Sequence, residues 1–339
     1  MTGARIGIKR PPGLSLDVDF PIAAGITAIH GPRGAGKTAI LEAVAGFLRP
    51  DSGRIMLEDA ILFDAESGVN VPPRRRGCAY IPSADALVLH MTVRANLAFA
   101  AARFRRLERH RKVAEMLERF GLAAAAARLP AEIAPGERLR VAAARALLAE
   151  PRLLLIDDCG LTESLLAEIR AARPCPVLMA TGDLDLCCAA GELILLDRGR
   201  IVQRGAPAAV LDRPDSPEAA RLAGFENVFE VTVAALDPGR GTSRLEADGF
   251  ALTGPYIPGH FRGDRVWAAA RAGALRVHGP DGPTGTAAAE LVRATVRACS
   301  VRLEFAGGIC ADLTASEFAA KKDNKSWRIE FPPEALRIL

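Results

Sequence analysis

The chain opens with alternating apolar and polar positions that give way to an unbroken apolar run. Leu14, Leu16, Val18 and Phe20 alternate with Ser15, Asp17 and Asp19, the pattern of a half-buried strand. The stretch "GITAIH" predicts a second, buried strand, followed by a glycine-rich turn and then by Ile40, Leu41, Val44 and Leu48 at helical spacing. Strand, glycine turn and helix are the start of a βαβ unit. "DSGRIMLEDAILFD" predicts two short strands, and from about Val93 to Leu129 the period becomes helical. Within "RFRRLERHRKVAEMLERF", Leu107, Val113, Met116, Leu117 and Phe120 mark a buried side, and the arginines read as a solvated basic face. "ERLRVAAARALLAE" predicts a helix that stops before Pro151; "LLLI", "PVLMA" and "ELILLD" predict strands, with the helix "ESLLAEIRAAR" between the first two. This alternation argues an α/β fold with a parallel-sheet core and a helical subdomain at about residues 84–145.

After "RLAGFENVFE" the character changes. From about Val231 to Leu339 short strand-like stretches are broken by "LDPGRG", "GPYIPG", "GPDGPTG" and "FAGG", which predicts a small all-β domain of barrel type. A chain of 339 residues accommodates about two domains of roughly 150 residues each. The net charge of +4 admits anionic ligands but lacks the concentrated basic face that nucleic acid requires. Aromatic residues are only 5% of the chain, so stacking platforms are scarce, and Trp267 and Trp327 read as core residues of the second domain. No nucleic-acid partner is expected. Arg293, Arg297, Ser300 and Arg302 would suit an oxyanion, but a solvated strand face explains them with less. The seven cysteines form no C-x-x-C pair, and Cys187 and Cys188 are adjacent, so free thiols in a reducing cytosol are expected. The N-terminal "MTGARIGIKRPPG" has no apolar signal core, and no run reaches the ~18 apolar residues of a membrane span.

The chemistry is concentrated in "GPRGAGKT", which fits G-x-x-x-x-G-K-[ST] between a predicted strand and a predicted helix. Gly31, Pro32, Arg33, Gly34, Ala35 and Gly36 would bend the backbone so that successive amides point at phosphate oxygens. Lys37 would reach the β and γ phosphates, Thr38 would offer its hydroxyl to Mg²⁺, and Ala39 would continue the amide-lined helix start. "LLLIDDCG" is a buried strand ending in paired acids. Asp157 is then the second candidate metal residue beside Thr38, and Asp158 the candidate that activates water.

With these motifs in order, the chain resembles the ATP-binding subunits of ABC transporters along residues 1–228. The stretches "GPRGAGKT", "AGFLRPDSGRI", "HMTVRANLAFA", "GERLRVAAARALLAEPRLLLIDD" and "ELILLDRGRIVQRGAPAAVL" carry the match. Residues 229–339 resemble the small OB-like, TOBE-type regulatory domain of importer ATPases, notably those for molybdate and related oxyanions. The resemblance implies an ATPase that binds ATP and Mg²⁺ at a dimer interface, as a homodimer or with a related ATPase subunit. It also implies membrane permease subunits as partners, contacted around Ser83 to Ala100, and a cytoplasmic chain peripheral on the inner face of the cell membrane.

Against that family the chain departs at several places. The signature loop, "LSGGQ" or "LSGGE" in the family, reads "IAPGE": Ala134 replaces the serine, Pro135 replaces a glycine and removes an amide donor, and Gly136 and Glu137 remain. Ser83 stands where a glutamine is expected, Gly182 where a histidine is expected, and Leu161 to Ser164 lack the D-loop aspartate. No aromatic lies around Ile8 to Gly13 to stack on adenine, and Asp158 replaces the catalytic glutamate. Aspartate sets its carboxylate about 1 Å further back, a displacement that can cost ~10²-fold in rate. The expectation is an importer subunit that binds Mg·ATP and hydrolyses it slowly or only with its partner. The alternative is a non-hydrolysing, nucleotide-gated regulator or scaffold.

Overall fold

The computed structural model of the chain describes every residue except Met1, Pro11, Pro12, Ala84, Asp85, Ala86, Asp158, Cys159, Asp248, Gly249, Asp281, Thr284, Gly285, Asp323, Asn324 and Lys325. Its backbone contacts form two compact units, Met1–Ala208 and Ala209–Leu339.

In the first unit the N-terminal alternation forms β1 (Gly3–Arg10) and β2 (Leu14–Pro21), an antiparallel pair that turns Ile6, Ile8, Leu16, Val18 and Phe20 into the core. The buried strand β3 (Ile26–His30) leads through the glycine turn into α1 (Lys37–Ala45). Then come β4 (Ser52–Leu57), β5 (Ala60–Asp64), β6 (Val69–Asn70) and β7 (Cys78–Ile81). The helical stretch resolves into α2 (Val93–Ala100), α3 (Arg106–Arg119) and α4 (Pro135–Leu148), which pack on one another. The alternating remainder is β8 (Leu153–Asp157), α5 (Glu163–Ala172), β9 (Val177–Thr181), α6 (Leu184–Cys188), β10 (Glu192–Asp197) and β11 (Arg200–Gly205).

Among the described residues these strands form one sheet of eleven, in the order β6-β5-β4-β1-β2-β11-β10-β3-β9-β8-β7. The parallel core expected from the sequence is β10-β3-β9-β8-β7. The other arm is antiparallel, β1 pairing with both β2 and β4, and β5 with β4 and β6. The pairs β1–β2, β4–β5 and β5–β6 are short hairpins that need no crossover, whereas β4 reaches β1 only after β3 and α1. On α3 the buried stripe is Val113, Leu117 and Phe120, whereas Leu107 is 85% exposed. Leu107 lies six residues before Val113, about 120° round the helix from that stripe, and does not belong to it.

One buried cation ties α1 to the antiparallel arm. Arg76 is 1% exposed. Its Nη1 donates to the carbonyls of Ala43 and Val44 at 2.8 and 2.9 Å, its Nε to Val71 O at 2.7 Å and its Nη2 to Asn70 Oδ1 at 2.8 Å. The guanidinium thus caps the last turn of α1, where unpaired carbonyls favour a cation. Burial lowers its pKa, yet a guanidinium remains charged at any ordinary pH. Gly46, at φ 90°, makes the room: a Cβ there would stand 2.5 Å from Arg76 Nε.

The second unit holds strands from Asn227–Asp237 to Arg337–Ile338 in three sheets that share one core. Val231, Leu245, Leu303, Ala311, Trp327 and Ile329 meet in that core. It is not wholly β, since Ala315–Lys321 forms a helix whose Thr314 cap the sequence reading passed over. Trp327 is core as expected, and Trp267 is half-buried beneath the Arg221 guanidinium, 5.7 Å from its ring. Arg293 and Arg297 are exposed, but Arg302 departs from the solvated face expected of it. It is 7% exposed and donates to Glu226 Oε1 and Asp312 Oδ2, both at 2.7 Å. Two carboxylates take its Nε and Nη2 donors and offset its charge, which weighs against an oxyanion there, and the Asp312 hydrogen bonds hold its pKa above the usual range.

Replacing Arg76 by methionine should cost about 3 kcal/mol of stability in urea unfolding, because several buried carbonyls would each lose a donor worth roughly 1 kcal/mol. Burial pushes the Cys78 thiol up to about 11 and the Cys187 thiol up to about 12. At about pH 8 both stay protonated, so a disulfide reagent should label the exposed Cys188 and Cys299 first and leave Cys187 unreacted until the protein unfolds.

Candidate functional site

The site begins where β3 stops being sheet. Its neighbour β10 runs alongside so closely that a Cβ on Gly31 would lie 2.1 Å from Leu196 O. Only glycine fits there. Gly34 at φ 82° and Gly36 at φ 107° then take left-handed conformations that side chains disfavour, and the chain turns back into α1. Two backbone bonds fix the curve: Ala35 N–H donates to Pro32 O at 3.2 Å, and Gly199 N–H donates to Ala35 O at 2.9 Å. The second comes from the tight turn between β10 and β11, where a Cβ on Gly199 would strike Ser15 O at 1.8 Å.

The first turn of α1 has no side-chain cap and no acidic residue. Its amides therefore keep the partial positive charge of a helix start. Lys37 is 9% exposed, and its Nζ donates to Gly31 O at 2.7 Å and Pro32 O at 3.1 Å. The ammonium is folded over the mouth of the loop. Thr38 is exposed, and its Oγ1 lies 3.1 and 3.0 Å from the two carboxylate oxygens of Asp157, which is 1% exposed at the end of β8. The structure thus brings together the loop Gly31–Thr38 and Asp157, the pairing that the sequence motifs required. A hydroxyl and a carboxylate side by side are hard oxygen donors suited to Mg²⁺, and the adjoining amides and ammonium suit phosphate.

The signature position is not joined to this cluster by any hydrogen bond among the described residues. Ala134, Pro135 and Gly136 are exposed at the start of α4, with Pro135 as the first helical residue. Glu137 folds back so that its Oε2 accepts from Ala134 N at 2.9 Å, placing a carboxylate at the helix start. Gly182 follows β9, where Thr181 Oγ1 accepts from Asp183 N at 3.0 Å. Asp158, the candidate for activating water, lies outside the described residues, and Ser83 is exposed.

Two further residues, Tyr80 beside the site and Asn96 in the helical stretch, were not singled out by their motifs. Tyr80 on β7 donates to Asp157 Oδ2 at 3.2 Å, and burial together with the Asp157 charge raises the pKa of its phenol. Asn96, fully buried on α2, binds Val88 N at 2.9 Å and the carbonyls of Val88, Met91 and Thr92 at 3.0 to 3.2 Å. It fixes the turn ahead of α2, beside which Leu89 and Phe99 stand 62% and 63% exposed. A groove of about 660 Å³ lies along β1, β2 and β4, with Arg5, Asp17, Asp19 and Arg54 lining it. Its charges are of both signs and Arg54 already pairs with Asp64 at 3.4 Å, so it lacks the convergent donors of the loop.

Comparison with known proteins supplies the family. The ABC transporter family matches residues 16–160. The molybdenum import ATP-binding protein ModC of Rhodospirillum rubrum is 34% identical over 249 residues, spanning 70% of this chain and 67% of that protein. The molybdate/tungstate import ATP-binding protein WtpC of Archaeoglobus fulgidus is 38% identical over 207 residues, spanning 58% of this chain and 84% of that protein. Among solved structures, cbiO1 of Clostridium perfringens, part of the ABC transporter complex cbiONQ, aligns with a TM-score of 0.55 at 22% identity. That alignment spans 65% of this chain and 92% of cbiO1, and it speaks for the fold alone. The extent and identity of the match to the curated relatives place the chain in the ABC transporter family, as an ABC-type ATPase.

Proposed function

We propose that this chain is the ATP-binding, energy-coupling subunit of an importer for molybdate or a related oxyanion. The observation that carries the proposal is the cluster of Gly31–Thr38 with Asp157. The substrate class follows from the molybdenum and molybdate/tungstate import named for the relatives. In this reading the amides of Gly34 to Ala39 and the Lys37 ammonium bind the β and γ phosphates of ATP. Thr38 and Asp157 hold Mg²⁺, which when bound neutralises phosphate charge and orients the terminal phosphate for attack. Lys37 already lies at the loop mouth, so little reorganisation precedes binding.

The dimer sandwich, the permease contact and the regulatory role of the second unit belong to the same proposal. No helix among the described residues is long and apolar enough to cross a membrane. In this reading the chain meets the inner face of the membrane through permease subunits, for which the exposed Leu89 and Phe99 offer apolar contact. The strand-rich part from residue 229 acts as the OB-like regulatory domain.

A second reading has its own observation. Pro135 opens α4 without an amide donor, Ala134 has no hydroxyl, and Glu137 sets a carboxylate at the same helix start. A partner's γ-phosphate would meet fewer donors and more negative charge there, which favours a nucleotide-gated regulator that barely turns over.

Lys37→Ala should abolish the ATP-dependent rise in thermal midpoint while leaving the nucleotide-free midpoint within a few degrees. Persistence of the ATP effect in that variant would remove the central assignment. Steady-state phosphate release separates the two readings, since the regulator predicts a rate near background with or without partner. In the importer reading, the double substitution Ala134→Ser with Pro135→Gly should raise turnover by about tenfold or more, as restoring an oxyanion donor is worth a factor of that order or larger.

A further inference from the structure

We propose that Tyr80 is a positioning residue for the candidate cation site: by donating to one oxygen of Asp157 it fixes the orientation of that carboxylate and of the Thr38 hydroxyl. The inference rests on the Mg²⁺–nucleotide reading above, and it follows from counting protons. Asp157 is 1% exposed, so both of its oxygens need donors. Thr38 Oγ1 is within 3.1 Å of both, but a hydroxyl has one proton and satisfies one oxygen at a time. The second proton is that of Tyr80, whose hydroxyl is 3.2 Å from Oδ2.

The fold delivers it. Strand β7 runs parallel to β8 with Tyr80 opposite Leu155, so the phenol reaches along the sheet to the acid two residues further on. The Tyr80 ring rests against Phe47, centroids 5.7 Å apart and planes tilted by 56°. A phenol carries its proton at neutral pH and so is available as a donor there. With Oδ2 held by Tyr80, the single Thr38 proton is directed to Oδ1 and the lone pairs of that hydroxyl are free for the cation. Without the phenol, Thr38 is shared between two oxygens and neither orientation is set. Partners of this kind, one step removed from a metal, commonly carry 10–100-fold in affinity.

The test is Mn²⁺ binding followed by electron paramagnetic resonance at saturating non-hydrolysable ATP analogue, on the full chain and on Tyr80→Phe and Phe47→Leu. The phenylalanine keeps the ring and removes the proton, and should weaken Mn²⁺ binding by about tenfold or more. Its nucleotide affinity in chelator should be unchanged, and its metal-free thermal midpoint should fall by no more than a few degrees as Asp157 loses one donor. Phe47→Leu disturbs the packing but keeps the hydroxyl, and should bind Mn²⁺ within about twofold of the parent. Parent-like Mn²⁺ binding by Tyr80→Phe, or an equal loss in both variants, would overturn the assignment. A parent protein with no nucleotide-dependent Mn²⁺ signal would instead remove the underlying reading, and the inference with it.

Discussion

Thr38 and Asp157 stand 119 positions apart in the chain and hydrogen-bond at 3.0 to 3.1 Å. That contact makes a site out of two separate motifs. It requires β3 and β8 to end at the same edge of the sheet with β9 between them, and it requires α1 to start directly over that edge. The parallel core is the part of the fold that satisfies both conditions, since parallel strands gather their C-terminal ends and the helix starts that follow them. The antiparallel arm adds support from the side, through Arg76 at the end of α1 and Leu16 against Gly36.

Much of this was legible in the sequence, because the signals there were local. The glycine spacing of Gly31, Gly34 and Gly36 and the apolar run Leu153–Ile156 each define their own backbone, and the periods that predicted α1, α4 and α5 held. What was not legible depended on partners distant in the chain. Leu107 read as core because it is leucine, but helical phase puts it about 120° from the stripe of Val113 and Leu117. Arg302 read as surface because it is arginine, and its burial follows from Glu226 and Asp312 meeting it across the second unit. Strand β1 escaped attention since Gly3 and Gly7 dilute its alternation. Of the site, Tyr80 could not be found by motif, because its role arises from the register of β7 against β8.

In the proposed reading the chain separates nucleotide binding from nucleotide cleavage. In that reading the groups for the phosphates and the metal, Gly31–Thr38 and Asp157, stand together, although no aromatic near Ile8 to Gly13 is there to stack on adenine. The groups that would drive nucleotide cleavage are thinned: Gly182 has no side chain to offer, Ala134 no hydroxyl, Pro135 no amide. Loop and sheet are bound by folding as well as by function, whereas surface positions such as 134–136 are free to change at little cost to stability.

The bond from Gly199 N–H to Ala35 O has a consequence for how the motif should be regarded. The phosphate loop does not shape itself. Its curvature is moulded from behind by the β10–β11 hairpin, and glycines at both contact points, Gly31 and Gly199, record how tightly the pieces nest. The eight letters "GPRGAGKT" are therefore not a portable module, and transplanted between another strand and helix they would arrive without their mould.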